Sequence, residues 1–152
     1  MKKLYTDASF DWTSTEKAEN VVRGKIAISD GDGFERIDKV AIGKVEGLKQ
    51  YINILELTAV ARAVELASEH FKEEAKGLLE VWTDSQVAMS WANNAKINQK
   101  IAKLAHYNAL EYLRKAQILF GGIVSFHYIK RDQNPAGHLL EQELKKEAPH
   151  TI

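Results

Sequence analysis

Cysteine is absent from the 152-residue chain, which excludes a disulfide framework and any thiolate metal site. An excess of either charge is absent too, because 21 Lys and Arg face 21 Asp and Glu. Domains that hold nucleic acid by bulk electrostatics usually carry surplus positive charge, so binding of that kind would have to rely on local basic stripes. Missing as well is any apolar run of signal-peptide or bilayer-spanning length; the opening "MKKLYTDASFDW" has two lysines and no apolar stretch behind them. Repeats, low-complexity tracts and long linkers do not occur. What is present, 45% hydrophobic and 28% charged residues, suits one compact domain with a core of ordinary size. The expectation is a single domain over 1–148 with a short tail at 149–152, in a soluble, cytoplasmic protein with no membrane contact and no obligate protein partner.

Three strand-like segments come first, "KKLYTDAS", "VVRGKIAIS" and "RIDKVAIGKV", separated by turn-formers such as "SDGDG". From Asn53 to about His70 the period changes: Ile54, Leu57, Val60, Ala61, Val64 and Ala67 recur at helical spacing. "GLLEVWTD" reads as a short buried strand, "SQVAMSWANN" as a short helix, and Ile97 to about Ala116 as a longer amphipathic helix stopped by Gly121 and Gly122. "IVSFHYIK" is the last strand and Asn134 to about Glu147 the last helix. This order predicts a mixed sheet with helices packed against it, an α/β layered fold.

Three acids stand out. Asp7 interrupts a good strand, where a short carboxylate is disfavoured by propensity and by desolvation; a hydrogen-bonded aspartate near a strand end is the plain alternative. Asp84 ends a strand and precedes a helix, which suits either a ligand-binding crevice or a helix N-cap. Glu56 falls in the first turn of the apolar helix, where a negative charge is also favourable on its own. If the two strands are neighbours, all three acids converge. Converging carboxylates repel, and the expected occupant of such a crevice is a hard divalent cation. Two such ions would suit phosphodiester hydrolysis.

"YTDAS", "NILE" opening a helix, "VWTDSQ" ending a strand and "NPAGH" opening the last helix, in this order, resemble ribonuclease H of type 1 over nearly the whole chain. The resemblance implies a ribonuclease H-like fold: a five-stranded mixed sheet, three antiparallel strands then two parallel, flanked by helices. It implies an endonuclease that cuts the RNA strand of RNA/DNA hybrids with Mg²⁺ or Mn²⁺, two ions per site once substrate is bound. The family's metal-binding acids carry over onto Asp7, Glu56 and Asp84. Its substrate contacts fall on the main chain at Ala8 and Ser9, on Asn53, Ser85, Gln86 and Asn134, with Lys130 and Arg131 bordering the site as further backbone contacts; amide side chains suit a ribose 2′-hydroxyl because they both donate and accept.

The last helix departs from the family pattern. Where an aspartate is expected, this chain has His138, with Glu141 three residues on and on the same helix face. Neutral imidazole is a common metal ligand, and Argonaute-type slicers and resolvases of the same superfamily are similar in placing a histidine there. The predicted set is therefore Asp7, Glu56, Asp84 and His138, with Glu141 as an additional ligand and a shift of preference towards Mn²⁺. Gly137 weakens the helix and hints at close approach of another backbone or ligand. The connection "IKRDQN" lacks the histidine that the family's longer loop usually carries, and His127, inside the strand, is expected to pair locally. Lys96, Lys100, Lys103, Arg114 and Lys115 read as solvated charges, and Trp82 and Trp91 as packing residues, leaving Trp12 as the tryptophan most suited to stack on a base. Two other readings are a catalytically silent hybrid-binding module and a resolvase-type nuclease.

Overall fold

The structure, a computed structural model, describes residues 1–11, 20–44, 51–94 and 104–147. Trp12, Lys96, Lys100, Lys103, the first residues of the helix expected from Ile97, and the tail at 149–152 lie outside them. Strands β1 (Lys2–Phe10), β2 (Val21–Ser29), β3 (Glu35–Gly43), β4 (Leu78–Thr83) and β5 (Ile123–Tyr128) form one sheet in the order β3-β2-β1-β4-β5. The first three pair antiparallel, and β1/β4 and β4/β5 pair parallel, so the expected mixed sheet is present.

The helices are α1 (Tyr51–His70), α2 (Lys72–Ala75), α3 (Gln86–Asn94), α4 (Leu104–Phe120) and α5 (Pro135–Glu147), with a 3₁₀ turn at Arg131–Gln133. Two of these were not foreseen, α2 and the 3₁₀ turn; at four and three residues both are too short to show a hydrophobic period. Among the described residues no helix is long and apolar enough to cross a membrane.

Alternation along β1 divides the core. Leu4, Thr6 and Ala8 are buried on one face, where Leu4 and Ala8 join Ile26, Ile28 and the apolar side of α1, including Ile54, Leu55, Leu57 and Val60. Tyr5 points the other way and packs with Ala27, Ala136 and Leu140 under α5. Helix α5 covers β1, β2 and β3, and makes no comparable contact with β4 and β5. α1 is buried over most of its length, so its apolar residues exceed a single stripe.

Polar ties fix the edges of this core. Lys2 Nζ donates to Asp30 at 3.0 Å and Glu74 at 3.2 Å while lying 4.1 Å from the Phe71 ring centroid, which anchors the start of β1 to α2. Arg62 bridges Asp38 of β3 and Glu65, and the Tyr112 hydroxyl donates to Glu65 at 2.6 Å, joining α1, β3 and α4. Trp91 packs against His106 with centroids 4.0 Å apart, as a packing tryptophan should.

Gly24 sits where β2 passes beneath α1. A Cβ there would lie 2.5 Å from the Ser9 carbonyl oxygen, which as backbone cannot yield cheaply, and 2.8 Å from Cδ1 of the buried Leu55 side chain. Gly24→Ala should therefore destabilise the chain by about 1–3 kcal/mol in urea unfolding. Gly43→Ala, with open space around the new methyl, should change stability by less than about 0.5 kcal/mol. Equal effects of the two substitutions would contradict this packing.

Candidate metal centre

Parallel pairing of β1 with β4 matches Thr6 with Thr83, so Asp7 and Asp84, one residue further along each strand, emerge side by side. Helix α1 brings Glu56 to the same point. It begins at Tyr51, earlier than the period of its apolar residues suggested, which moves Glu56 out of the first turn. The favourable end charge of the helix therefore does not explain this acid, because that effect fades within one turn. Nor is Asp84 the cap of α3. Ser85 takes that role, its Oγ accepting from the Ala88 N–H at 3.0 Å, while Thr83 Oγ1 accepts from the Ser85 N–H at 3.1 Å.

One carboxylate oxygen from each of Asp7, Glu56 and Asp84 lies within 4.8 Å of the others. Asp7 is 9% and Glu56 6% exposed, so water does little to screen them. Burial, then the charge of Asp84, push Asp7 up to about 6, against the pull of the Ala8 N–H, Glu56 and Arg131. Burial, then Asp7 and Asp84, hold Glu56 well above the ordinary carboxylate range. Glu56 Oε2 is buried without a hydrogen-bond partner. A buried acceptor left in that condition costs free energy, and a cation among three acids would satisfy it. The donor set is all oxygen, which fits a hard divalent ion such as Mg²⁺ or Mn²⁺.

Asn134 holds this arrangement from α5. Fully buried, its Nδ2 donates to the Thr6 carbonyl at 2.9 Å and to Asp84 Oδ2 at 3.2 Å, and its Oδ1 accepts from the Ala136 N–H at 3.1 Å. The side chain expected to meet a ribose is instead consumed inside the protein, tying β1, β4 and α5 together. Gly137 follows on the first turn, and a Cβ there would stand 3.3 Å from Asp7 Oδ2, so the anticipated close approach is made to a carboxylate of the site.

His138 does not join the acids. Its side chain is exposed, Nε2 donates to the Asp132 carbonyl at 3.0 Å, and among the described residues the ligand group comprises Asp7, Glu56 and Asp84 alone. Glu141 is likewise exposed and outside the group. The reason is local: the 3₁₀ turn presents the Asp132 carbonyl to the first turn of α5, and the imidazole takes it. Of the other expected contacts, Ala8 is buried, Ser9, Asn53 and Ser85 are half-buried, and Gln86, Lys130 and Arg131 are exposed. His127 pairs locally, hydrogen-bonded to Ser125 Oγ at 2.7 Å.

The folded value of Asp7, about 6, lies above its ordinary 3.8, so the folded chain binds that proton more tightly than the unfolded one. Stability from this group is fully present below about pH 4 and lost as pH rises through about 6, and Glu56 acts in the same direction. In a chelator, the chain should gain on the order of 2 kcal/mol between about pH 8 and about pH 5, read by urea unfolding, and Asp7→Asn should flatten that slope. Divalent metal added at the upper pH should stabilise the parent chain and not the variant. A parent slope of opposite sign would contradict the crowded-carboxylate geometry.

No family model matches the chain, and no curated protein matches it either. Solved structures do. A ribonuclease H1 isolated from compost by a metagenomic approach superposes with a TM-score of 0.62 at 18% identity, covering 95% of each chain. The same enzyme in complex with an RNA/DNA hybrid gives 0.59 at 17% identity, over 93% of this chain and 98% of that one. Ribonuclease H1 from the halophilic archaeon Halobacterium salinarum gives 0.59 at 18% identity, over 95% and 97%. At such identities the likeness establishes architecture, and it extends over almost the full length of both partners: the chain has the ribonuclease H-like fold.

Proposed function

We propose that the chain is a metal-dependent endonuclease that hydrolyses the RNA strand of RNA/DNA hybrids. The observation that carries this reading is the convergence of Asp7, Glu56 and Asp84, with Glu56 Oε2 left without a hydrogen-bond partner, on a fold shared with a ribonuclease H1 whose structure contains such a hybrid. Asp7, Glu56 and Asp84 would hold the ions. When bound, Mg²⁺ or Mn²⁺ would polarise the scissile phosphate and make water a competent nucleophile.

The chain's own groups do the rest. Asn134 keeps the Asp84 carboxylate aimed at Asp7 and fixes the start of α5 against it. Arg131, close enough to lower Asp7, and exposed Lys130 present positive charge at the rim, where a phosphate backbone would lie. This local charge answers the neutral total of the chain. Exposed Gln86, at the start of α3, would offer an amide to a 2′-hydroxyl, and the half-buried Asn53 and Ser85 and the Ala8–Ser9 main chain, each within three residues of one of the acids, would supply the remaining contacts.

His138 follows Gly137, whose backbone abuts Asp7. Its imidazole would be available to the metal set only on leaving the Asp132 carbonyl, and Glu141, on the same helix face, would then serve as an outer carboxylate. That exchange would favour Mn²⁺, because imidazole suits softer divalent ions than an all-oxygen site does. The alternative of a silent hybrid-binding module draws on the same hydrogen bond, since His138 held at Asp132 leaves three ligands.

Two experiments test this. In a cleavage assay with labelled RNA/DNA hybrid, Asp84→Asn should lower activity by about 100-fold or more in either metal while hybrid binding changes by less than about threefold. A parent chain that binds hybrid but cleaves it in neither metal would be the binding module. His138→Ala should lower Mn²⁺-supported cleavage by about 10-fold or more, and His138→Asp should shift the preference back towards Mg²⁺. Unchanged metal preference in both variants would remove His138 from the set.

A further inference from the structure

Helix α5 stops short of the outer half of the sheet, and the face it leaves open is aromatic and basic. Lys3, Tyr5, Trp82, Tyr128, Ile129, Lys130 and Gln133 line a shallow cavity of about 400 Å³ there. The Trp82 ring stacks on His127 with centroids 4.7 Å apart and planes 24° from parallel, and Ser125 holds the imidazole in place. Lys3 Nζ lies 5.7 Å from the Trp82 centroid. Glu80 shares this face, but its carboxylate is engaged by Trp82 Nε1 at 3.2 Å, which also fixes the indole. Tyr128, the last residue of β5, borders the cavity from the strand's end and is 40% exposed.

Position gives this patch meaning. By strand alternation Lys3, Tyr5 and Asp7 share one face of β1, and Trp82 and Tyr5 are register partners. Tyr5 and Trp82 therefore stand two residues, about 7 Å, behind Asp7 and Asp84, a distance on the scale of one nucleotide step. Lys130 and Gln133, on the far wall, belong to the segment that leads into Asn134.

We propose that this open face is a binding site for single-stranded nucleic acid, taking one or two unpaired bases into the cavity formed by Tyr5, Trp82 and Tyr128. Stacked aromatic rings accept any base through its π-face, and a paired base, stacked inside a duplex, cannot reach them. Lys3 is a flexible cation resting near the ring; on binding it exchanges the ring for a phosphate, and Lys130 meets the next one. The site adjoins the carboxylate cluster and shares Lys130 with its rim but uses none of the three acids, so it needs no metal; it does not distinguish DNA from RNA, because no contact in it depends on a 2′-hydroxyl.

The test is a titration of the full chain in chelator with a single-stranded oligothymidylate about ten nucleotides long, followed by tryptophan fluorescence and by anisotropy of the labelled strand. Quenching is expected in the parent and lost in Trp82→Leu. Lys3→Glu and Tyr128→Ala, both at exposed positions, should each weaken binding by about tenfold, and they decide the matter if Trp82→Leu fails to fold. Asp84→Asn should bind the oligonucleotide like the parent, whatever it does to hybrid cleavage. No binding by the parent, equal affinity in Lys3→Glu and Tyr128→Ala, or loss of binding in Asp84→Asn would each overturn the proposal; with no nucleic-acid binding, a peptide or protein partner becomes the occupant to seek.

Discussion

Three carboxylates gathered where little water reaches them is the arrangement on which the rest of this molecule depends. Like charges at such separations repel in proportion to how poorly the medium screens them, and burial adds the cost of desolvating each one. The protein answers in part with protons, seen in the upward displacement of Asp7 and Glu56, and in part with Arg131 and the Ala8 N–H. Glu56 Oε2 remains buried without a hydrogen-bond partner, an arrangement compatible with a divalent cation among the three acids.

Holding such a group together requires a scaffold more stable than the repulsion within it. The sheet supplies this by placing Asp7 on β1 and Asp84 just past the end of the adjacent parallel β4, in a register fixed by apolar residues on the opposite face, Leu4 and Val81 among them. α1 presents Glu56 from a helix buried along most of its length, and Asn134 closes the assembly from below with three hydrogen bonds. Each acid thus belongs to a different element and none can retreat without disturbing the core. The glycine at 137 lets α5 approach closely enough to take part.

The two halves of the α5-facing side of the sheet have different characters. Under α5, Tyr5, Ala27, Ala136 and Leu140 form a small second core. Beyond it, Trp82 and His127 stack in partial contact with solvent, so ring surface that burial would normally claim stays accessible. Trp82 packs on His127, as a tryptophan within a strand is expected to, and it is the reach of α5 across the sheet that leaves part of its surface uncovered.

Element order, the strand and helix periods, the helix start at Pro135 and the three acids were legible in the chain because each depends on neighbours within a few residues. Alternation and helical spacing record burial locally, and Pro and Gly mark ends through their own backbone chemistry. Which of its two roles Asp84 would take was not legible, because Ser85 and Asp84 are adjacent and both can cap a helix; nor was the internal role of Asn134, which meets Thr6 and Asp84 only once β1, β4 and α5 are assembled. His138 is the sharpest case. Its position on the first turn of α5 follows from sequence, whereas its hydrogen bond to Asp132 depends on a 3₁₀ turn too short to show a period. Local chemistry therefore determined which residues could form a metal centre, and tertiary structure decided which of them meet, because side chains far apart in sequence are brought to one point by strand register and helix packing alone.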